Sequence, residues 1–111
     1  MEKLTHYSAI LERLIADEAE RVSTSTDVEV CVLCDPVRHQ YQLLYLGWQG
    51  IKRVFSPLIH LRLHNGKVWI EQDGTEEGIA TRLLDAGVPR EDIVLAFYSP
   101  QKRQYTEFAA A

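Results

Sequence analysis

Asn65-Gly66 is the most constraining dipeptide in this chain. A two-residue type I′ turn needs positive φ at both central positions, and Asn-Gly supplies it at least cost. Apolar and polar residues alternate on either side, so the turn joins two antiparallel strands. It also sets their register: His64 opposite Lys67, Leu63 opposite Val68, Arg62 opposite Trp69, Leu61 opposite Ile70, His60 opposite Glu71. Cross-strand partners share a face. One face is then Ile59, Leu61, Leu63, Val68 and Ile70, a core surface. The other is His60, Arg62, His64, Lys67, Trp69 and Glu71, polar apart from one indole.

The strands before this hairpin follow the same logic. Val28, Val30, Val32 and Cys34 alternate with Glu29, Cys31, Leu33 and Asp35, the period of two expected of a strand. Asp35-Pro36 signals a turn, Gln40 to Trp48 a second strand, Gln49-Gly50 a tight reversal, and Ile51 to His64 a third strand. Pro57 within it marks an edge, a bulge or a break.

Helical periodicity appears twice. Across residues 2–22, Leu4, Tyr7, Leu11 and Leu14 recur at spacings of three and four, joined by Ile10, Ile15 and Ala19, which predicts an amphipathic helix. Ser23 to Thr26 follow as a polar connector. A second helix is expected over Thr75 to Ala86, burying Ile79, Ala80, Leu83 and Leu84. Gly87 suits its left-handed C-terminal position and Pro89 prevents continuation. Pro89 to Asp92 reads as one turn, and Ile93 to Phe97 as a buried strand. The tail from Ser99 has no clear period and is expected to pack on the domain or on another chain. The fold class is therefore α+β. An N-terminal helix precedes a mainly antiparallel sheet of about five strands, with a second helix before the last strand, all in one domain spanning 1–111.

Composition narrows the function classes. No apolar run approaches the ~20 residues that span a bilayer, and the charged start lacks a secretion signal, so a cytoplasmic location is expected. The net charge of −4 hides a segregation: residues 36–70 hold Arg38, Lys52, Arg53, Arg62 and Lys67 and no acid at all. Such a stripe suits phosphates or an acidic partner, although a solvated sheet face balanced by acidic helices is the simpler reading. Cys31 and Cys34 form a lone Cys-x-x-Cys on a strand, where positions three apart point to opposite faces. They read as two structural thiols, short of the ligands a zinc site requires.

Four carboxylates fall within Glu71 to Glu77, with His60 nearby. A divalent-metal or acid–base site is one reading. The favoured one is a helix start, with Asp73 as N-cap, Glu76 closing a capping box, and Gly74 and Thr75 in the turn. No nucleophile elbow or phosphate loop is present. His60 is expected to make a sheet-face hydrogen bond. Trp69 beside Arg62 is either an interface anchor or an indole paired with a cation or covered by the tail or the first helix. The expected partner-binding residues are Arg62, Lys67, Trp69, Arg103 and Phe108, with no metal and no cofactor.

Several stretches resemble the XisI family, the fdxN element excision controlling factors. They are Leu4-Thr5-His6-Tyr7, Gly47-Trp48, Trp69 through Ala80, Ala86 through Phe97, and Tyr105 through Ala109. The family often carries Gly or Glu at the position of Glu107. The resemblance implies a non-enzymatic factor, known mainly from cyanobacteria. It acts with an endonuclease-like partner, XisH, in excision of a DNA element, while a separate recombinase exchanges strands. It implies no catalytic residues. Direct DNA binding through residues 36–70 is the alternative, and a metal-dependent enzyme built on His60, Glu71, Asp73 and Glu76 the third. A homodimer is expected, since a small chain with an apolar sheet often completes its core symmetrically.

Overall fold

The structure, a computed structural model, describes residues 2–22 and 26–111. The connector expected at Ser23 to Thr26 therefore lies, at 23–25, outside the described residues. Helix α1 (Glu2–Arg21) leads into strands β1 (Val28–Asp35), β2 (Gln40–Gln49), β3 (Lys52–His64) and β4 (Lys67–Asp73). Helix α2 (Ile79–Asp85), a 3₁₀ turn (Arg90–Asp92), β5 (Ile93–Leu95) and the short helix α3 (Pro100–Arg103) follow. The five strands form one sheet in sequence order. The pairings are antiparallel except β4–β5, which is parallel. No helix among the described residues is long and apolar enough to cross a membrane.

The Asn-Gly turn forms as its chemistry dictates, with φ of 54° at Asn65 and 75° at Gly66. Four of the five expected pairs follow, from His64↔Lys67 to Leu61↔Ile70. The fifth does not. A bulge between His60 and Leu61 places His60 against Gln72, leaving Glu71 as the extra residue. A second bulge explains Pro57. Leu43 and Leu44 face Ile59 and Pro57, with Leu58 left over, and β4 pairs with β3 only as far as Ile59. Pro57 thus sits where, among the described residues, no strand pairs with β3 on one side, so its missing N–H costs no ladder bond.

The core lies between one sheet face and the helices. Tyr7, Leu11, Leu14 and Ile15 of α1 and Ile79 and Leu83 of α2 are buried on Tyr41, Leu43, Ile59, Leu61, Leu63, Val68 and Ile70. The expected hairpin core face is buried, and of the first helix's stripe Tyr7, Leu11 and Leu14 are buried while Leu4 is partly so. Two ion pairs tie the helices in place. Arg82 of α2 donates to Glu18 of α1 at 2.6 Å, and both side chains are largely buried. Tyr7 donates its hydroxyl to Asp92, which also meets Lys3 at 3.0 Å. Burial opposes the charge on Asp92, but the hydrogen bonds from Tyr7 and Lys3 outweigh it and hold the carboxyl below its ordinary range. Burial and the same carboxylate push the Tyr7 hydroxyl up to about 12.

Helix α2 starts four residues later than expected. Gly78, at φ 92°, precedes it, so the expected Asp73–Glu76 capping box is not formed. Asp73 still serves the helix start, but from further back. One carboxylate oxygen accepts the Ile79 N–H at 2.7 Å and the other accepts the N–H and hydroxyl of Thr75. The intervening residues loop over that carboxylate, which is why Glu76 never enters the first turn. The C-terminus follows expectation. Gly87 has φ 98°, and the N–H groups of Gly87 and Val88 close on Leu84 and Leu83 in a Schellman motif. The last strand is shorter than expected, ending at Leu95. The tail returns to its edge, where Ala109 bridges Val94 and donates to the Ile93 carbonyl at 2.9 Å.

Candidate functional site

The sheet face away from the core helices is the region with functional content. Pairing assigns its residues, because partners across strands share a face. At one end stand His64 and Lys67, then Arg62 with Trp69 and Gln40, then His60 with Gln42 and Gln72. At the other stand Leu44 with Cys31 and Pro57, Leu46 with Glu29 and Phe55, and Trp48 with Arg53. The first end is polar, with Arg103 of the tail against Trp69. The second is apolar and open.

Trp69 is closed in, only 8% exposed. Its indole N–H donates to the His64 carbonyl at 3.0 Å, and the His64 ring meets it edge-on at 5.4 Å. Two guanidinium groups lie against it, Arg62 at 5.2 Å and Arg103 at 5.4 Å from the ring centroid. Each is itself held. Arg62 donates to Glu71 at 2.8 Å, and Arg103 donates to the carbonyls of Tyr98 and Ala96. Glu71, the extra residue of the bulge, is the carboxylate that meets Arg62. Lys67 is partly exposed beside this cluster. Phe108 packs against the core, with Arg90 over its ring at 5.6 Å. The tail thus packs on the domain, one of its two expected fates. Of the expected partner-binding residues, Arg62, Trp69 and Arg103 form one cluster, Lys67 borders it, and Phe108 is an anchor of the tail.

The carboxylate-rich stretch disperses. Glu71 is engaged by Arg62, Asp73 by Thr75 and Ile79, and Glu77 lies near Arg21 at 3.8 Å. Among the described residues no three His, Cys, Asp or Glu side chains gather where a metal ion would sit. His60 makes the expected sheet-face bond, to Gln40 at 2.8 Å. Burial lowers its pKa, with Glu71 opposing and Arg62 assisting, so the neutral ring is the form this site favours.

The open end escaped the sequence reading. Trp48 is 50% exposed, Phe55 65% and, on the neighbouring strand, Leu33 46%. Arg53 lies 5.4 Å from the Trp48 ring and 5.9 Å from that of Phe55. Gly47 shapes the approach. At φ 152°, a Cβ there would fall 2.0 Å from the Asp27 carbonyl oxygen, which accepts the Trp48 N–H. The available signal was the count of large apolar residues at outward positions of β2 and β3, which the alternation assigns once the hairpin register is fixed. A surface of aromatic, leucine and arginine side chains has the chemistry of a protein contact.

The XisI protein family model matches residues 1–110. Among solved structures, a XisI-like protein from Anabaena variabilis ATCC 29413 superposes with a TM-score of 0.94 at 39% identity, covering 97% of this chain and 99% of that one. The fdxN element excision controlling factor XisI from Anabaena variabilis ATCC 29413 gives 0.89 at 41% identity, covering 98% and 99%. Comparison with curated protein sequences gives no match.

Proposed function

Because the chain belongs to the XisI family, we propose that it is a non-catalytic controlling factor for excision of a DNA element, working in the cytoplasm by binding an endonuclease-related, XisH-like protein. The observation that carries this reading is the outer sheet face. It is a continuous surface from Lys67 and Arg62 to Arg53, Phe55 and Trp48, built of the residue types that anchor protein contacts. Trp69, Arg103 and Phe108 contribute by fixing one end of that surface, and a second copy of the chain completes the assembly.

Direct DNA contact draws less support from the same geometry. Of the five bases in residues 36–70, Arg62 is paired with Glu71 and Arg38 with Asp35, and Arg53 lies over aromatic rings. The test is affinity for a XisH-like protein in wild type, Lys67→Glu and Trp48→Ala/Phe55→Ala. A loss of about tenfold or more, equivalent to ~1.4 kcal/mol, is expected for the double variant and a smaller loss for Lys67→Glu. Unchanged affinity in both would remove this face as the contact. Binding to bare DNA with steep salt dependence, and none to protein, would instead favour phosphate recognition.

A further inference from the structure

We propose that the cleft between α1 and the β1–β2 turn is a binding site for a small organic cation, a protonated amine carried on an apolar body. The cleft lies on the helix side of the sheet, so it is separate from the protein contact surface proposed above.

The cleft has a volume of about 690 Å³, within the ~300–1,000 Å³ typical of small-molecule sites. Leu4 and Ala9 of α1 and Pro36 of the turn supply its apolar wall, and Ser8, Glu12 and His39 its polar groups. An apolar lining with a few fixed polar groups is the usual division of labour in a ligand site.

The polar groups are held in order. The hydroxyls of Ser8 and Tyr41 stand 2.6 Å apart, and Ser8 donates to Glu12 at 3.4 Å. A serine has one proton to give, so Tyr41 donates to Ser8 when Ser8 donates to Glu12. Tyr41 is fully buried, which anchors this chain of bonds on β2.

Glu12 has capacity to spare. It receives one such bond, whereas a carboxylate offers roughly four lone-pair positions. The bases of α1 and of the turn meet other acids. Lys3 meets Asp92, Arg13 meets Asp17, Arg21 meets Glu18 and Glu77, and Arg38 meets Asp35. Among the described residues none is left to pair with Glu12. Its charge is felt in the wall behind it. Burial raises the pKa of the Cys34 thiol and of the Tyr41 hydroxyl, and the Glu12 charge adds to the rise in both, with the Ser8 bond opposing it at Tyr41. A carboxylate without a counter-charge, set beside apolar wall, selects a cation with an apolar body over an anion of the same shape.

His39 brings a second unmet group. Its backbone lies in the left-handed region at φ 59°, and its carbonyl accepts the Leu63 N–H at 3.1 Å, which pins the turn to the end of β3. Its ring lines the cleft, and among the described residues the buried Nδ1 has no hydrogen-bond partner. Buried polar atoms are ordinarily bonded, so this wall keeps bonding capacity for a polar group of the ligand.

NMR titration of the ¹⁵N-labelled full chain at about pH 8, where an ordinary imidazole is neutral, tests the site with hexylamine, methylamine and hexanoate. Hexylamine should give saturable shifts at the amides of Ser8, Glu12 and His39. Methylamine should bind at least about tenfold more weakly for want of an apolar body, and hexanoate should leave those amides unmoved. Glu12→Gln, an exposed position on α1, should keep the wild-type spectrum elsewhere and weaken hexylamine binding about tenfold or more. Hexylamine shifts that centre on Trp48 and Phe55 instead, an equal response to hexanoate, or wild-type affinity in Glu12→Gln would each overturn the proposal.

Discussion

The two tryptophans stand at opposite ends of the same sheet face and have opposite surroundings. Trp69 is closed in by Arg62, Arg103 and His64 and donates to a backbone carbonyl. Trp48 is half-exposed, with Arg53 at its ring. The difference arises from the tail. α3 carries Arg103 back onto the Trp69 end, and Ala109 fixes the chain beyond it on β5. At the other end the β2–β3 hairpin runs past the last residue of β3 that pairs with β4, so among the described residues no neighbouring strand shelters it on that side. One indole is closed into the fold and the other stays half-exposed.

The largest effect that separates the two is on folding. Trp69→Ala should lower stability by about 3–5 kcal/mol, the usual loss for a buried tryptophan, as read by urea denaturation. If Trp48→Ala costs as much, the contrast is wrong.

Asp92→Asn comes next, at roughly 1–3 kcal/mol, because a buried charged acceptor loses its partners' strongest bonds. The loss should depend on pH in a definite direction. Asp92 is held below the ordinary carboxylate value of 3.8. Its contribution is therefore fully present above that value and lost as pH falls through the lower folded value. Thermal melts at successively lower pH should show the gap between wild type and variant closing only in strong acid. A gap that widens with acid would contradict the assignment.

Asp73→Ala should cost about 1 kcal/mol, since its carboxylate accepts the Ile79 N–H at the start of α2. Glu76→Ala should cost almost nothing, in contrast to the capping box that the sequence suggests. Trp48→Ala should also be small on stability, within ~0.5 kcal/mol, and its effect should appear instead in partner affinity.

How much of this was legible in the sequence depends on the range of the interaction. Asn65-Gly66 and Gly87 are local signals, and the structure follows them closely. The bulge at Glu71 and the late start of α2 depend on how β4 meets β3 and how residues 74–78 loop over Asp73, which no local pattern encodes. Glu18–Arg82 and Tyr7–Asp92 join residues 64 and 85 positions apart, so their pairing has no sequence signature short of the fold itself. The candidate surface was half legible. Alternation placed Arg62, Lys67 and Trp69 on one face, but only the path of the tail decides which end of that face stays open.

Control through a protein contact calls for titration of the wild-type chain into a purified XisH-like protein by calorimetry at low and moderate salt. A saturable complex that persists as salt rises is expected, since apolar and aromatic burial is not screened. No heat of binding at either salt concentration, with the chain folded, would contradict it.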